Sequence, residues 1–301
     1  MDTRVQIGAL TLANPVTVAS GTAGYGEELS EYMDISRLGA LFTKGLSIEP
    51  RPGNTGNRII ETPSGVMNSI GLENVGIERF LSEKLPSLRA RGATVIANVA
   101  GHSIEENVEL CRILSDTEGI SAIELNVSCP NVKEGGIAFG KDPSMLHGLT
   151  VKARAVTKSP LIVKLSPNAP DIILCAKAAE DAGADAISAM NTFLALKIDI
   201  EKKAPYFDNT FAGLSGPAIR PIALRMVWEI CGNVRIPVIG VGGVTTPSDA
   251  IEFMMSGASA VSIGAGTMVD PCVSIRILEG INAWCSSHGI HRLSDLIGCA
   301  R

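Results

Sequence analysis

The sequence predicts a (β/α)8 barrel. Three observations lead there: eight short β-branched runs, each followed by a segment of helical period; 301 residues without a linker or a break in composition; and a core supply of aliphatic rather than aromatic side chains. Hydrophobic residues make up 46% of the chain and aromatics only 4%, so Ala, Val, Ile and Leu must fill the interior, as in buried parallel strands covered by helices. One domain over residues 1–301 is expected. A doubly wound sheet is the structural alternative.

The eight expected strands are 16–19, 40–43, 94–99, 122–127, 161–165, 186–190, 237–241 and 260–263. Helical period follows at 77–90, 104–115, 171–182, 218–230, 247–256 and 273–284. Thr246-Pro247-Ser248-Asp249 reads as an N-cap with proline at the first helical position, and Asn168 is a looser candidate cap before Pro170. Gly92, Gly119, Gly183, Gly232 and Gly257 stand just before strands, where a helix end needs the left-handed conformation. Residues 5–15 read as a hairpin able to plug the N-terminal barrel mouth. The connections 44–74, 128–142 and 191–217 are too long for simple turns, and all three would emerge at the C-terminal face, where catalytic loops belong.

A formal charge of −5 gives no basic footprint for nucleic acid or anionic membrane, and few aromatics argue against a base-stacking platform. Small molecules or proteins are the expected partners. The start, MDTRVQIGALTLANP, lacks an apolar signal core and no run of 18 apolar residues occurs, so a soluble cytoplasmic protein is expected. Seven scattered cysteines without a CxxC pair signal neither a disulfide framework nor a zinc knuckle.

Chemistry concentrates at the strand ends. Strands seven and eight run into Gly240-Val241-Gly242-Gly243 and Gly264-Ala265-Gly266-Thr267, which allow backbone N–H groups to close on a phosphate; ordinary glycine turns are the plainer reading. Lys44 and Lys164 end strands two and five, and a lysine in a buried β-run is costly unless it meets an anionic ligand. Asn68, Asn98, Asn126, Asn131 and Asn191 cluster at the same end; their paired donors and acceptors suit an amide-rich heterocycle, although turn capping would explain one or two. Cys129, in NVSCPN after strand four, lies on a Gly-rich loop where a thiol can serve as acid, base or nucleophile. His288 and His291 have a spacing compatible with a metal, but solvent-facing positions near the C-terminus are the simpler reading, and no metal site is expected.

At these residues the chain resembles the class 1, B-type catalytic subunits of the dihydroorotate dehydrogenase family. NPVTVASGT, FTKGLSIEPRPGN, ETPSGVMNSIGL, ELNVSCPN, VKLSPN, AMNT, GLSGPAIRP and GVGGV occur in family order and spacing, nearly end to end. The resemblance implies an FMN-binding barrel that oxidises (S)-dihydroorotate to orotate in de novo pyrimidine (UMP) biosynthesis, with Cys129 as base. It implies FMN contacts from Ser20, Lys44, Gly45, Asn98, Asn126, Lys164, Met190, Gly216, Gly242, Gly243, Gly264 and Ala265. Substrate contacts are implied for Lys44, Asn68, Ser69, Ile70, Gly71, Leu72, Asn126, Asn131, Asn191 and Thr192. FTKGLSIEPRPGN and GLSGPAIRPIALRM look B-like, which implies a homodimer core in a heterotetramer with a second subunit carrying FAD and a 2Fe-2S cluster, and NAD as final acceptor. Gly264-Ala265-Gly266-Thr267 departs from the GTA-like run of the family pattern, with the backbone role retained. A fumarate-reducing A-type enzyme, a flavin barrel acting on other dihydropyrimidines, and a non-catalytic phosphate-binding barrel are the alternatives.

Overall fold

A computed structural model describes residues 1–127 and 139–301. All eight expected strands form, each within a residue of its expected bounds: Val16–Val18, Ala40–Phe42, Val95–Val99, Ala122–Asn126, Leu161–Lys164, Ala186–Ala189, Val238–Val241 and Ala260–Ile263. They close a parallel barrel in which each strand pairs with its neighbours in sequence and strand eight returns to strand one. Almost every residue of these strands is buried, because the barrel interior covers one face and the helices the other. Each fully buried Val, Ile or Leu contributes about 1.5–3 kcal/mol, so aliphatic strands suffice without large rings.

Helix boundaries follow local chemistry. Ile104–Ser115 starts where Ser103 accepts from the Glu106 N–H, and Pro247–Met255 starts at a reciprocal capping box between Thr246 and Asp249. The expected cap at Asn168 is corrected: Asp171 caps Ile172–Asp181, accepting from Ile173 and Leu174, while Asn168 bonds Thr192 and Leu194 across the barrel mouth. An aspartate nearer the first turn also complements the helix dipole. The helical stretch 77–90 is interrupted by a π turn at Phe80–Lys84 before Leu85–Ala90. Pro86 explains it, since proline has no N–H and its ring would crowd the carbonyl four residues back. Gly92, Gly119, Gly183 and Gly257 have positive φ as expected. Gly232 does not: it ends Arg220–Cys231 at φ −81°. Pro143–Val156, capped by Asp142, fills the connection between strands four and five.

Two long connections do not remain loops. Ile59–Thr62 and Gly65–Asn68 from the first, with Phe193–Leu196 and Phe211–Ser215 from the third, assemble into a four-stranded antiparallel sheet over the C-terminal mouth. Met67, Phe207 and Ala212 form a small core of its own beneath it. At the opposite end, Val5–Ile7 and Leu10–Leu12 form the expected hairpin, and its Gly8 turn (φ +59°) abuts Asp185 just before strand six.

Candidate active site

The C-terminal strand ends place the charged and amide side chains together. Lys164 ends strand five with a side chain only 6% exposed, and its Nζ donates to Ser20 Oγ at 3.0 Å. Burial of an ammonium is tolerable because Glu124 Oε2 lies 3.8 Å away. Glu124 in turn accepts from Asn98 Nδ2 and from Ser188 Oγ, both at 2.5 Å. Strand register creates this cluster, since Asn98 pairs with Glu124 across strands three and four, and Ser188 with Lys164 across strands five and six.

Asn98 is fully buried, and its Oδ1 has no hydrogen-bond partner among the described residues. That oxygen faces Gly45: a Cβ at Gly45 would sit 3.1 Å from it. A buried, unpaired amide oxygen costs about 1–3 kcal/mol unless something donates to it, so this acceptor marks a ligand-facing position.

Lys44 follows strand two and is partly buried; its Nζ lies 3.6 Å from Glu73, which also receives a hydrogen bond from Arg58 at 2.9 Å. The Lys44 charge, followed by the Arg58 hydrogen bond, holds the Glu73 carboxyl below its usual range.

The other asparagines form a second line across the mouth. Asn191 Nδ2 donates to Asn126 Oδ1 at 3.3 Å, and the Thr192 N–H donates to Asn191 Oδ1 at 2.8 Å. Gly213 approaches the Thr192 side chain so closely that no Cβ would fit, and the Gly213 carbonyl accepts from Asn68 Nδ2 at 3.4 Å. Ser69 and Ile70 are fastened through their carbonyls to Asn54, and Gly71 and Leu72 turn with φ +75° and +56°. The Leu72 side chain then reaches Gly45, 3.7 Å from where its Cβ would be. Cys129 and Asn131 lie outside the described residues.

The ends of strands seven and eight supply backbone donors. The N–H groups of Gly242, Gly243 and Gly264 have no acceptor among the described residues. Gly243 (φ +73°) packs so tightly that a Cβ would lie 2.7 Å from the Gly216 carbonyl, which holds the turn after strand seven against the end of Phe211–Ser215. Gly264 differs: a Cβ there would meet nothing nearer than 3.8 Å, so it borders open space beside Ala19 and Thr22. Ala265 begins the short helix Ala265–Val269, and Met190 follows strand six, buried, with its N–H on the Val241 carbonyl.

Glu124, Ser188 and Glu73 were not among the residues expected from sequence. Glu124 had a readable signal, because an acid inside AIELNV is as anomalous as the lysine inside LIVKL. Cys111, Cys175 and Cys231 are poor nucleophile candidates: burial pushes their thiols up to about 12, 11 and 11. His288 stacks on Trp284 and bonds its carbonyl, and among the described residues no group of three metal-ligating side chains comes together. No helix among the described residues is long and apolar enough to cross a membrane.

An anion could sit on the glycine N–H groups, a planar amide-rich ring could reach the Asn98 acceptor and the Lys164 ammonium, and a second small polar molecule could meet the Asn126–Asn191 line. The family model described as dihydroorotate dehydrogenase matches residues 3–284. Among curated relatives, the Pelobacter propionicus protein called "Dihydroorotate dehydrogenase B (NAD(+)), catalytic subunit" is 48% identical over 297 residues, covering 99% of this chain and 98% of the relative. Proteins of the same name from Trichlorobacter lovleyi and Thermoanaerobacter pseudethanolicus are each 49% identical, over 294 and 298 residues, and the alignments cover 97% and 98% of those relatives. With a match of this extent, the chain belongs to the dihydroorotate dehydrogenase family of oxidoreductases.

Proposed function

We propose that this chain oxidises (S)-dihydroorotate to orotate, a step of de novo UMP synthesis, on an FMN held in the C-terminal mouth of the barrel, and passes the electrons to NAD through a partner subunit carrying FAD and a 2Fe-2S cluster. The observation that carries this reading is the pairing of a buried acceptor with no partner among the described residues, Asn98 Oδ1, with a buried ammonium, Lys164, facing strand ends whose glycine N–H groups likewise meet no acceptor among those residues.

The residues fit FMN on three counts. Gly242, Gly243, Gly264 and Ala265 provide backbone N–H groups, and Gly264 borders open space for a phosphate. Asn98 Oδ1 requires a donor, which a flavin ring N–H or a similar group supplies. Ser20, Gly45, Asn126, Met190 and Gly216 complete the surrounding wall at the ends of strands one, two, four and six and just after the covering strand Phe211–Ser215. Bound FMN would supply the hydride acceptor for the substrate's C6.

The chain's own residues do the rest. Lys164 brings a fixed positive charge to the place where reduction accumulates negative charge. Lys44 bridges cofactor and substrate, and Asn68, Asn126, Asn131, Asn191 and Thr192 read the pyrimidine edges, with residues 69–72 closing one side. An analogue lacking a matched donor or acceptor leaves these polar groups unpaired and is penalised. Cys129, directly after strand four in NVSCPN, removes the C5 proton as a thiolate. The four-stranded sheet excludes water above the site.

The names of the relatives favour NAD as final acceptor for this chain. Assaying the FMN-loaded protein with dihydroorotate against fumarate, against NAD with and without a B-type electron-transfer subunit, and with dihydrouracil as substrate tests the reading. Turnover with dihydroorotate and NAD only when that subunit is present supports it; turnover with fumarate alone, or with dihydrouracil in place of dihydroorotate, overturns it.

A further inference from the structure

We infer that Glu124 is a positioning residue for cofactor binding: it fixes which way the Asn98 amide points and balances the charge of Lys164. The inference rests on the FMN reading above and names a residue that touches neither cofactor nor substrate in that reading.

Three facts converge on it. Glu124 is 1% exposed and projects from the middle of strand four into the cluster formed by strands three, five and six. Both of its oxygens are engaged, Oε2 by Asn98 Nδ2 and Oε1 by Ser188 Oγ, so the carboxylate cannot rotate without breaking a bond. The other half of the Asn98 amide, Oδ1, is buried and has no partner among the described residues.

An asparagine amide has two orientations of nearly equal shape, donor one way and acceptor the other. A carboxylate accepts and does not donate, so beside Glu124 only the NH2 group is tolerated and the carbonyl must face Gly45 and the mouth. Glutamine at the same position presents both a donor and an acceptor, and the lock is lost. The same carboxylate, 3.8 Å from Lys164 Nζ, offsets part of the ammonium's field. Removing that negative charge while Lys164 stays leaves the site more positive, which favours the reduced, more negative state of a bound flavin.

The test uses Glu124→Gln, which keeps size and most hydrogen bonding. FMN affinity is measured by fluorescence quenching on titration of the apoprotein, and the midpoint potential by spectroscopic redox titration of the loaded protein. The expected result is FMN binding weaker by about tenfold, the worth of one charge-assisted hydrogen bond, together with a midpoint potential displaced to more positive values. A structural role alone would lower stability without moving the potential. Wild-type affinity and wild-type potential in E124Q overturn the inference. Should E124Q not fold, Ser188→Ala releases one carboxylate oxygen and must weaken FMN in the same direction; unchanged affinity in S188A overturns it equally. If the unsubstituted protein fails to bind FMN, the fault lies with the proposed function and not with Glu124.

Discussion

Lys164 Nζ and Glu124 Oε2 stand 3.8 Å apart in the barrel interior, with side chains 6% and 2% exposed. Two opposite charges this deep are held by their neighbours as much as by each other: Ser20 takes the ammonium's hydrogen bond, and Asn98 and Ser188 occupy both carboxylate oxygens. A buried pair adds little net stability over an apolar replacement, but losing one member strands the other.

Lys164→Met is therefore expected to destabilise the fold by about 3–5 kcal/mol, since Glu124 would remain buried without its counter-charge. The double variant Lys164→Met, Glu124→Gln should recover a large part of that loss. Urea midpoints of the single and double variants measure both effects, and an unchanged midpoint for K164M shows that the pair is not buried as described.

At Glu73 the relevant variable is pH. Its carboxyl is held below the usual range, first by Lys44 and then by Arg58. A depressed folded-state pKa contributes stability that is present above the unfolded value and is lost as pH falls through the folded one. Glu73→Gln should flatten the acid limb of a stability-versus-pH curve and leave the alkaline limb alone. The side chain is 42% exposed, so solvent screening limits the effect to about 1 kcal/mol or less. A wild-type acid limb in E73Q shows that the Lys44 contact is not formed in solution.

Two glycines at the proposed phosphate end should respond in opposite ways. Gly243→Ala combines φ +73° with a Cβ 2.7 Å from the Gly216 carbonyl, so loss of fold stability of roughly 2 kcal/mol or more is expected from the left-handed conformation and the clash together. Gly264→Ala meets open space and should cost the fold about 1 kcal/mol or less while weakening FMN binding, because the added methyl fills the cradle. Thermal melts of the apoproteins and FMN titrations separate the two; equal FMN affinity in G264A and wild type removes Gly264 from the phosphate site.

The proposed base has its own signature. Cys129→Ala should lower turnover by about 10²–10⁴-fold, the worth of general base catalysis, while the protein stays yellow, because no FMN contact is assigned to Cys129. Steady-state rates alongside the flavin absorbance check both halves. Near-normal turnover would falsify the base assignment.

The barrel was readable because its signals are local. Eight β-branched runs with helical period between them need no long-range information, and the Thr246 cap and four of five helix-end glycines follow from single-residue chemistry. The π turn at Phe80–Lys84 was not expected within 77–90, although Pro86 is a local signal for an interruption. The sheet over the mouth was not readable: Gly65–Asn68 pairs with Phe211–Ser215, more than a hundred residues away, and that register depends on the barrel having brought the two connections together. The site shows the same division. Lys164 and Asn98 stood out as polar residues in apolar strands, whereas the link between them runs through Glu124 on a further strand, itself held by Ser188 on another, and exists only once the barrel closes.

The most direct measurement is the absorbance spectrum of the purified, FMN-reconstituted protein during anaerobic addition of dihydroorotate. Bleaching of the flavin band in proportion to substrate added, with orotate as product, is expected if the mouth of this barrel holds FMN and oxidises dihydroorotate. A protein that takes up no FMN, or a flavin band that stays unchanged with excess dihydroorotate, contradicts it.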